Sequence, residues 1–494
     1  MNYTRKAVRG AGFVFVVSLL AAFLAYLFRL LLARNLTQTE YGLFYAVYGL
    51  LIFSTVFNNL GTSQALVKFI PEFKVKKRFN SIKNSIIYVA IIQLIISILI
   101  AFVLILFSDF LALNYFRNPQ ASLIIELFAI IFLLRPFTSL LTYIFQGFQR
   151  MKYFASVDFL RTSFILIITF LGFKLAKTVL VPTFAYLFTP IILLIILVPL
   201  LLKKVFPEFL EIKFTLDKKL IKKLIFFGFP LIFMSIGGLI LNYTDTVMLT
   251  YFSGLKQVGL YNAALPTANI LGYFSIALMA VVFPLTAELW ARGHKEQLLD
   301  GINLLYRYSF IVILPLALTI FSFPEIILNI LFGHTYVPAS SVLRILSLGI
   351  IVMTITRINF SAISGIGKPK LIAKIILIGA ILNIILNFIL IPKYGMVGAA
   401  VTTFVGYLLM MGLSVANLKK LIGARAPIKY WIKNLFLGLI FVLIIFYLKN
   451  LLVLNVYLEL AIVIGIAGII YSGLVFALKL ITITEIKELI KRVI

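Results

Sequence analysis

The sequence has no cysteine and only two histidines among its 494 residues. Without thiols, the chain cannot form disulfides, perform thiolate catalysis or bind a metal through cysteine. His294 and His334 stand in separate polar segments divided by a long apolar stretch, which argues against a zinc or haem site built on histidine. We therefore predict neither a bound metal nor a cofactor.

What the sequence has in abundance is apolar length. Hydrophobic residues make up 63% of the chain, and the mean hydropathy is +1.12. A bilayer core about 30 Å thick requires about 20 apolar residues in a helix. About fourteen stretches of roughly that length follow one another between Val8 and Leu480. The sequence predicts an all-α polytopic membrane protein with about fourteen transmembrane helices and no cleavable signal peptide.

Acidic residues are scarce: 16 stand against 45 lysines and arginines. Alternate loops, beginning with the N-terminus, hold most of the basic residues. The opposite loops hold only Arg34, Arg117, Lys174, Lys177, Lys256, Lys393 and Lys449. By the positive-inside rule, this bias predicts a multi-pass plasma-membrane protein with both termini in the cytoplasm. Attraction to membrane lipids follows from the same charge, whereas no basic, aromatic-rich soluble segment indicates nucleic-acid binding.

The two halves of the sequence repeat weakly. EYGLFYA (40–46) matches QVGLYNA (257–263) at an offset of 217, and QGFQRMK (146–152) corresponds in position to SGIGKPK (364–370). Two homologous six-helix lobes with a pseudo-two-fold axis along the membrane normal would produce this spacing. The predicted divisions are an N-lobe (1–202), a basic cytoplasmic linker (203–224), a C-lobe (225–419), two further helices (420–480) and a cytoplasmic amphipathic tail (481–494).

Several strings, in order along the whole chain, resemble the Wzx-type polysaccharide flippases of the multidrug/oligosaccharidyl-lipid/polysaccharide exporter superfamily. They are ARNLTQTEYGLF (33–44), NLGTSQALVKFIPEF (59–73), FQGFQRMKYF (145–154), DTVMLTYFSGLKQVGLYNAA (245–264), SGIGKPK (364–370) and PKYGMVGAAVTT (392–403). The resemblance implies a fourteen-helix, two-lobe transporter that moves polyprenyl-phosphate-linked sugars from the inner to the outer leaflet. Lipid II flippases and drug/cation antiporters are sister groups with a similar fold.

Ionised side chains inside spans are candidates for function because their burial in lipid is costly. Arg135 lies halfway along the fourth span and Arg357 lies within the tenth. Both carry polar side chains at helical spacing: Thr138, Ser139, Thr142 and Gln146 beside Arg135, and Thr354, Ser361 and Ser364 beside Arg357. Such stripes either line a polar interior or surround an arginine locked in an internal ion pair. We take the lining of a substrate cavity as the hypothesis.

Six further positions complete the candidate set. Arg29 and Lys68, near the ends of spans one and two, either snorkel to head groups or join the cavity. Asp245, with Asn242 one turn earlier, is a gate or coupling candidate, and a contact between Arg29 and Asp245 would close the outer side. Asp158 and Arg161, spaced i,i+3 in span five, are predicted to form a structural pair.

The leading functional hypothesis is a flippase, not an enzyme, which moves a polyprenyl-(pyro)phosphate-linked oligosaccharide for cell-surface polysaccharide biosynthesis. Arginine suits this cargo because its planar fork matches phosphate oxygens. Glycosyltransferases or a polymerase of the same pathway are candidate partners. The first alternative is a drug or cation antiporter, which would need carboxylates in its cavity. A membrane glycosyltransferase or polymerase is the second, and the short outer loops argue against it.

Overall fold

The computed structural model describes residues 3–451, 455–481 and 485, and every regular element within these ranges is helical. Eleven of the described helices are long and apolar enough to cross a membrane. Their apolar faces are exposed: Ile95, Leu99 and Phe102, on one face of a single helix, are 58%, 61% and 64% exposed. Lipid, not water, is the medium that such a surface requires. The prediction of an all-α polytopic membrane protein is confirmed.

The chain divides into two compact units, Met1–Asn262 and Ala263–Ile494. The helices that begin in the first unit are α1 (Tyr3–Asn35), α2 (Gln38–Asn59), α3 (Thr62–Val75), α4 (Phe79–Leu106), α5 (Ser108–Phe110), α6 (Gln120–Gly147), α7 (Met151–Gly172), α8 (Leu180–Leu200), α9 (Lys218–Ser253) and α10 (Leu255–Asn269). α1 packs against α7, α6 packs against α4 and α8, and α9 packs against α2 and α3. A capping box between Thr37 and Glu40 begins α2, and the Asp217 carboxylate accepts backbone N–H bonds to begin α9.

The second unit is built around one central helix. Its helices are α11 (Gly272–Ala291), α12 (Lys295–Ser322), α13 (Pro324–Leu331), α14 (Ser340–Gly365), α15 (Pro369–Ile422), α16 (Ile428–Leu451) and α17 (Val456–Ala477). α14 packs against α11, α12 and α15, while α16 packs against α12 and α17. Inside α15, Gly395 adopts φ 55° and ψ −133°, a conformation that glycine tolerates and that kinks the helix.

The helix boundaries explain how the predicted spans are distributed. Predicted spans eleven (371–391) and twelve (397–418) both lie in α15, on either side of Gly395. Predicted span two (41–69) is divided between α2 and α3 by Leu60 and Gly61, whose φ angles are 44° and 69°. Predicted span seven (225–252) lies within α9. The number fourteen itself stays a prediction.

The division into compact units does not coincide with the predicted lobe limits. α9, assigned by sequence to the C-lobe, belongs to the first unit because it packs against α2 and α3. The lobe limits describe a sequence repeat rather than a contact boundary, and they stay predictions. Of the predicted tail, residues 482–484 and 486–494 lie outside the described residues, whereas Glu485 forms a 3.4 Å ion pair with Arg307.

The basic linker (203–224) is bound to the beginning of α4. Lys83 donates to the Ile212 carbonyl at 2.6 Å, and the Asn84 amide donates to the Thr215 carbonyl at 2.8 Å. The Tyr88 hydroxyl donates to the same Thr215 carbonyl at 3.0 Å. The linker and the basic segment before α4 therefore lie at one end of the first unit. This agrees with the prediction that both are cytoplasmic loops.

The repeat landmarks contact each other reciprocally inside the first unit. At the offset of 217, Gly42 corresponds to Gly259 and Gln38 to Leu255. A Cβ built on Gly42 would lie 1.8 Å from the Leu255 carbonyl oxygen, and one on Gly259 would lie 2.3 Å from the Gln38 carbonyl oxygen. A two-fold axis generates such pairs: where a residue of one repeat contacts the other repeat, its counterpart contacts the equivalent residue of the first. The close approach also explains why glycine stands at both positions.

Neighbouring side chains also contact each other at corresponding positions of the two repeats. The Phe28 and Phe44 rings lie 6.1 Å apart. At the offset of 217 they correspond to Asp245 and Tyr261, and the Tyr261 hydroxyl donates to Asp245 at 2.5 Å. Arg29 likewise lies over the Tyr45 ring, and the corresponding residues Thr246 and Asn262 are hydrogen-bonded at 3.1 Å. These matching pairs support the predicted repeat, whose extent over whole lobes stays a prediction.

Cysteine labelling will test the predicted topology. A cysteine at Asn114, which is exposed, should react with an impermeant maleimide only from outside the cell, and one at exposed Lys213 only from the cytoplasm. The native chain provides a background without thiols. The opposite labelling at either site would invalidate the orientation.

Candidate functional site

Arg135 lines a cavity of about 150 Å³ near the middle of the membrane-spanning part of the first unit. It lies 15 residues after the start of α6 and 12 before its end, about 22 Å and 18 Å along the helix. Its guanidinium makes no hydrogen bond or ion pair with any residue that the structure describes. The cavity wall is completed by Thr55, Asn58, Gln93, Phe132, Pro136 and Ser139.

The amides in this wall are fixed by bonds between helices. The Asn58 amide donates to Ser97 at 2.8 Å, and the Gln93 amide donates to Ser63 at 2.6 Å. The Gln93 carbonyl oxygen has no hydrogen-bond partner in the part of the chain that the structure describes, although the residue is only 1% exposed. The cavity therefore combines a cation, which favours an anionic ligand, with an amide acceptor, which favours a hydroxyl donor.

Tyr243 on α9 connects this cavity to two further arginines. Tyr243 lies within electrostatic range of Arg29 from α1, Arg135 from α6 and Arg161 from α7. We call these three residues the arginine cluster. Tyr243 also packs against Tyr48, with ring centroids 6.5 Å apart, and Tyr48 packs against Tyr186 at 5.6 Å. Aromatic rings thus surround the cationic groups.

Arg161 belongs to this cluster as well as to its predicted pair. Its guanidinium lies 2.9 Å from the Asp158 carboxylate, one turn earlier on α7. Asp158 remains 65% exposed and Arg161 40%, so this pair is not sealed inside the protein. Among the described residues, the buried Arg161 Nε atom has no hydrogen-bond partner. Three arginines and one paired aspartate give the arginine cluster a net positive charge, which favours an anion.

Arg29 and Asp245 are connected through successive residues of α10. Arg29 donates to the Asn262 carbonyl at 3.5 Å and lies 4.4 Å over the Tyr45 ring, whereas Asp245 accepts from Tyr261. Asp245 is only 3% exposed. The structure thus brings both residues to the place where α1 and α2 meet α9 and α10, and their role as a gate stays a prediction.

Arg357 differs from Arg135 because its polar stripe packs against another helix. Arg357 donates to the Gly272 carbonyl at 3.0 Å, and Ser361 donates to the Met279 carbonyl at 3.1 Å. Thr354 and Ser275 share a hydrogen bond of 2.8 Å. Thr354 and Ser361 are buried at this α11–α14 contact, whereas Ser364, the third hydroxyl residue of the stripe, is partly exposed. Arg357 itself remains partly exposed, so its place in a substrate cavity stays a prediction.

The remaining two candidates have local contacts. Lys68 is exposed, and its ammonium group lies 4.3 Å from the centre of the Phe227 ring, a cation–π contact. Asn242 is exposed and donates at 2.6 Å to the Gly238 carbonyl of its own helix. Neither residue lines the Arg135 cavity. No group of three or more acidic or histidine side chains within the described part of the chain could hold a metal.

Comparison with known proteins decides the family. Residues 7–290, more than half of the chain, match the family model described as polysaccharide biosynthesis protein. The chain belongs to this family. A second family model, MatE, matches residues 230–389. Together, the matches place the chain in the multidrug/oligosaccharidyl-lipid/polysaccharide exporter superfamily, as the sequence motifs predicted.

One relative matches the full length of the chain. An uncharacterised membrane protein of Methanocaldococcus jannaschii is 35% identical over 100% of both chains. The probable low-salt glycan biosynthesis flippase Agl15 of Haloferax volcanii is 27% identical over 52% of this chain and 55% of its own. Among solved structures, the lipid II flippase MurJ in an inward closed conformation has a TM-score of 0.75 at 17% identity. It covers 93% of this chain and 98% of that one, and it shows the fold. The family member is thus a flippase-like transporter of the superfamily.

Proposed function

We propose that this family member moves a polyprenyl-(pyro)phosphate-linked oligosaccharide from the inner to the outer leaflet of the plasma membrane. The observation that carries the proposal is the arginine cluster, in which Arg135 lines a polar cavity and makes no hydrogen bond or ion pair with a described residue. The naming of Agl15 as a glycan biosynthesis flippase supports the same substrate class.

The electrostatic cost of crossing explains why arginines are needed. A diphosphate group at the bilayer centre loses its hydration, and even one charged side chain there costs about 2.5–3.5 kcal/mol on translocon scales. Arginine forks supply several hydrogen bonds to phosphate oxygens in a fixed geometry. Arg29, Arg135 and Arg161 come from three different helices and lie within electrostatic range of one tyrosine, so together they make this part of the first unit attractive to an anion.

The tyrosines beside the cluster suit the sugar end of the substrate. Tyr48, Tyr186 and Tyr243 are each partly exposed, and each offers an apolar ring face and a hydroxyl. The lipid tail would stay in the bilayer while the head group crosses by alternating access. Glycosyltransferases would supply the substrate on the cytoplasmic side, and further enzymes such as a polymerase would use it outside.

A drug or cation antiporter is the second candidate, because the MatE match covers residues 230–389 and includes the buried Asp245. Such a transporter needs a carboxylate that can exchange a cation for a proton. In this chain, Asp245 accepts a hydrogen bond from Tyr261, and Asp158 pairs with Arg161. The cationic character of the cluster therefore favours anionic cargo.

Reconstitution separates these functions. The purified full-length chain in liposomes should expose a fluorescent polyprenyl-diphosphate oligosaccharide on the opposite leaflet faster than protein-free liposomes do. The same oligosaccharide on an uncharged polyprenol should move no faster than background. Proton-driven accumulation of a cationic dye such as ethidium, with no movement of the diphosphate lipid, would establish the antiporter instead.

A further inference from the structure

A second cavity, of about 330 Å³, lies entirely within the second unit. It forms where α12 ends, beside the first turns of α14 and the last turns of α16. By the predicted topology, this is the outer side of the membrane. Its wall consists of Phe321, Ser322, Arg344, Val442, Ile445, Phe446 and Lys449.

Two cations stand at the polar end of this cavity, and among the described residues only Arg344 has an acidic partner. Arg344 pairs with Glu325 at 2.6 Å and donates from Nε to the Phe321 carbonyl at 3.3 Å. With the residues that the structure describes, Lys449 makes one long hydrogen bond, 3.5 Å to the Ser322 carbonyl. An ammonium group has three donors, so two of those on Lys449 remain for a ligand.

An unsatisfied hydroxyl stands beside the lysine. The Ser322 Oγ atom is buried and has no hydrogen-bond partner among the described residues. Lys449 is held in place by the Phe323 ring, whose centre lies 4.7 Å from the ammonium nitrogen. A free ammonium and a free hydroxyl beside the Arg344 fork form a set of donors to which phosphate oxygens are complementary.

The rest of the cavity is apolar and faces the lipid. Val442, Ile445, Phe446 and Lys449 occupy one face of α16 at helical spacing. Phe446 is 66% exposed, and Leu443, which lies one turn before Phe446, is 57% exposed. The cavity therefore has cationic donors at the helix ends and an apolar surface along α16. A phospholipid has the same order, with its phosphate at the membrane surface and its acyl chains below.

We propose that this cavity binds the phosphate group of an anionic membrane lipid, with one acyl chain along the Val442–Phe446 face of α16. Lys449, Arg344 and the Ser322 hydroxyl donate to the phosphate oxygens, and Glu325 keeps Arg344 oriented. The site lies in a different unit from the arginine cluster, and it does not depend on what the protein transports. Its ligand is a lipid of the surrounding bilayer.

Lipid binding to the full-length protein in detergent tests the proposal by native mass spectrometry, with 1-palmitoyl-2-oleoyl phosphatidylglycerol and the matching phosphatidylcholine as probes. The wild type should bind the phosphatidylglycerol more tightly. Lys449→Gln should weaken that binding about tenfold, because one charge-assisted hydrogen bond is worth a factor of about that size. The charge-matched control is Lys393→Gln, at an exposed lysine outside the cavity, which should bind as the wild type does.

A second variant guards against an effect of folding. Glu325→Gln/Arg344→Gln removes an ion pair as a unit, so no charge is left without its partner, and it should also weaken phosphatidylglycerol binding. Equal affinity for both lipids, or unchanged binding in both variants, would overturn the proposal. Displacement of the lipid by millimolar inorganic phosphate would overturn it too, by showing a site for free anions.

Discussion

An Arg135→Ala chain is expected to lose transport of the diphosphate-linked oligosaccharide about ten- to hundredfold, since hydrogen bonds to charged groups contribute about 1.5–3 kcal/mol. Its amount in the membrane should stay normal. Arg135 has no hydrogen-bond partner among the described residues, so its removal leaves no protein group unsatisfied. Arg135→Lys should restore transport only in part, because lysine keeps the charge and loses the planar fork. The liposome assay measures this, with protein quantified in parallel.

Two other arginines calibrate the result. Arg292→Ala is the control, because Arg292 pairs at 2.7 Å with Glu288 and both are exposed. It should transport normally. Arg357→Ala should lower transport. It should also lower the free energy of unfolding by about 1 kcal/mol, because the hydrogen bond from Arg357 to the Gly272 carbonyl is lost. Normal transport by Arg135→Ala, or by Arg135→Ala/Arg357→Ala, would remove these residues from the mechanism.

The sequence predicted the helical membrane fold because apolar length is a local property that each span carries by itself. It did not predict that α9 joins the first unit, since this depends on packing between helices far apart in the chain. The same limit applies to the boundary at Gly61. The neighbouring string NLGTS is polar, but only the structure shows that a Cβ on Gly61 would lie 2.1 Å from the Gly228 carbonyl oxygen.

The sequence indicates candidate residues by their depth within a membrane span, but it does not show which of them lie close together in the fold. Arg135 stood out as a cation in the middle of a span. Gln93, an amide between apolar runs in α4, carried the same signal and was missed. The grouping of Arg29, Arg135 and Arg161 around Tyr243 joins four helices, and no spacing rule within one helix predicts it. The i,i+3 spacing predicts the Asp158–Arg161 pair. It does not predict that Arg161 also lies within electrostatic range of Tyr243.

Gly42→Ala is expected to abolish transport by preventing the contact of α2 with α10. The new methyl group would lie 1.8 Å from the Leu255 carbonyl oxygen, and backbone atoms cannot yield as a flexible side chain can. Because transport by alternating access requires the predicted outer side to close in each cycle, a chain that cannot close it should stop. Gly259→Ala should have the same effect, since it places a methyl group 2.3 Å from the Gln38 carbonyl oxygen at the equivalent position of the repeat.

A cysteine at Thr246 on α9 reports whether α2 and α10 stay packed around this position. Thr246 is only 3% exposed, lies against Gly49 of α2 and accepts a hydrogen bond from Asn262 of α10. An impermeant maleimide added outside should label it slowly in an otherwise native chain and several-fold faster with Gly42→Ala or Gly259→Ala. Gly238→Ala is the matched control: a Cβ there would meet nothing within 4 Å, so transport and labelling should not change. If Gly42→Ala transports normally, the α2–α10 contact is not a gate. If only one of the two glycine variants fails, the two-fold relation does not extend to the mechanism.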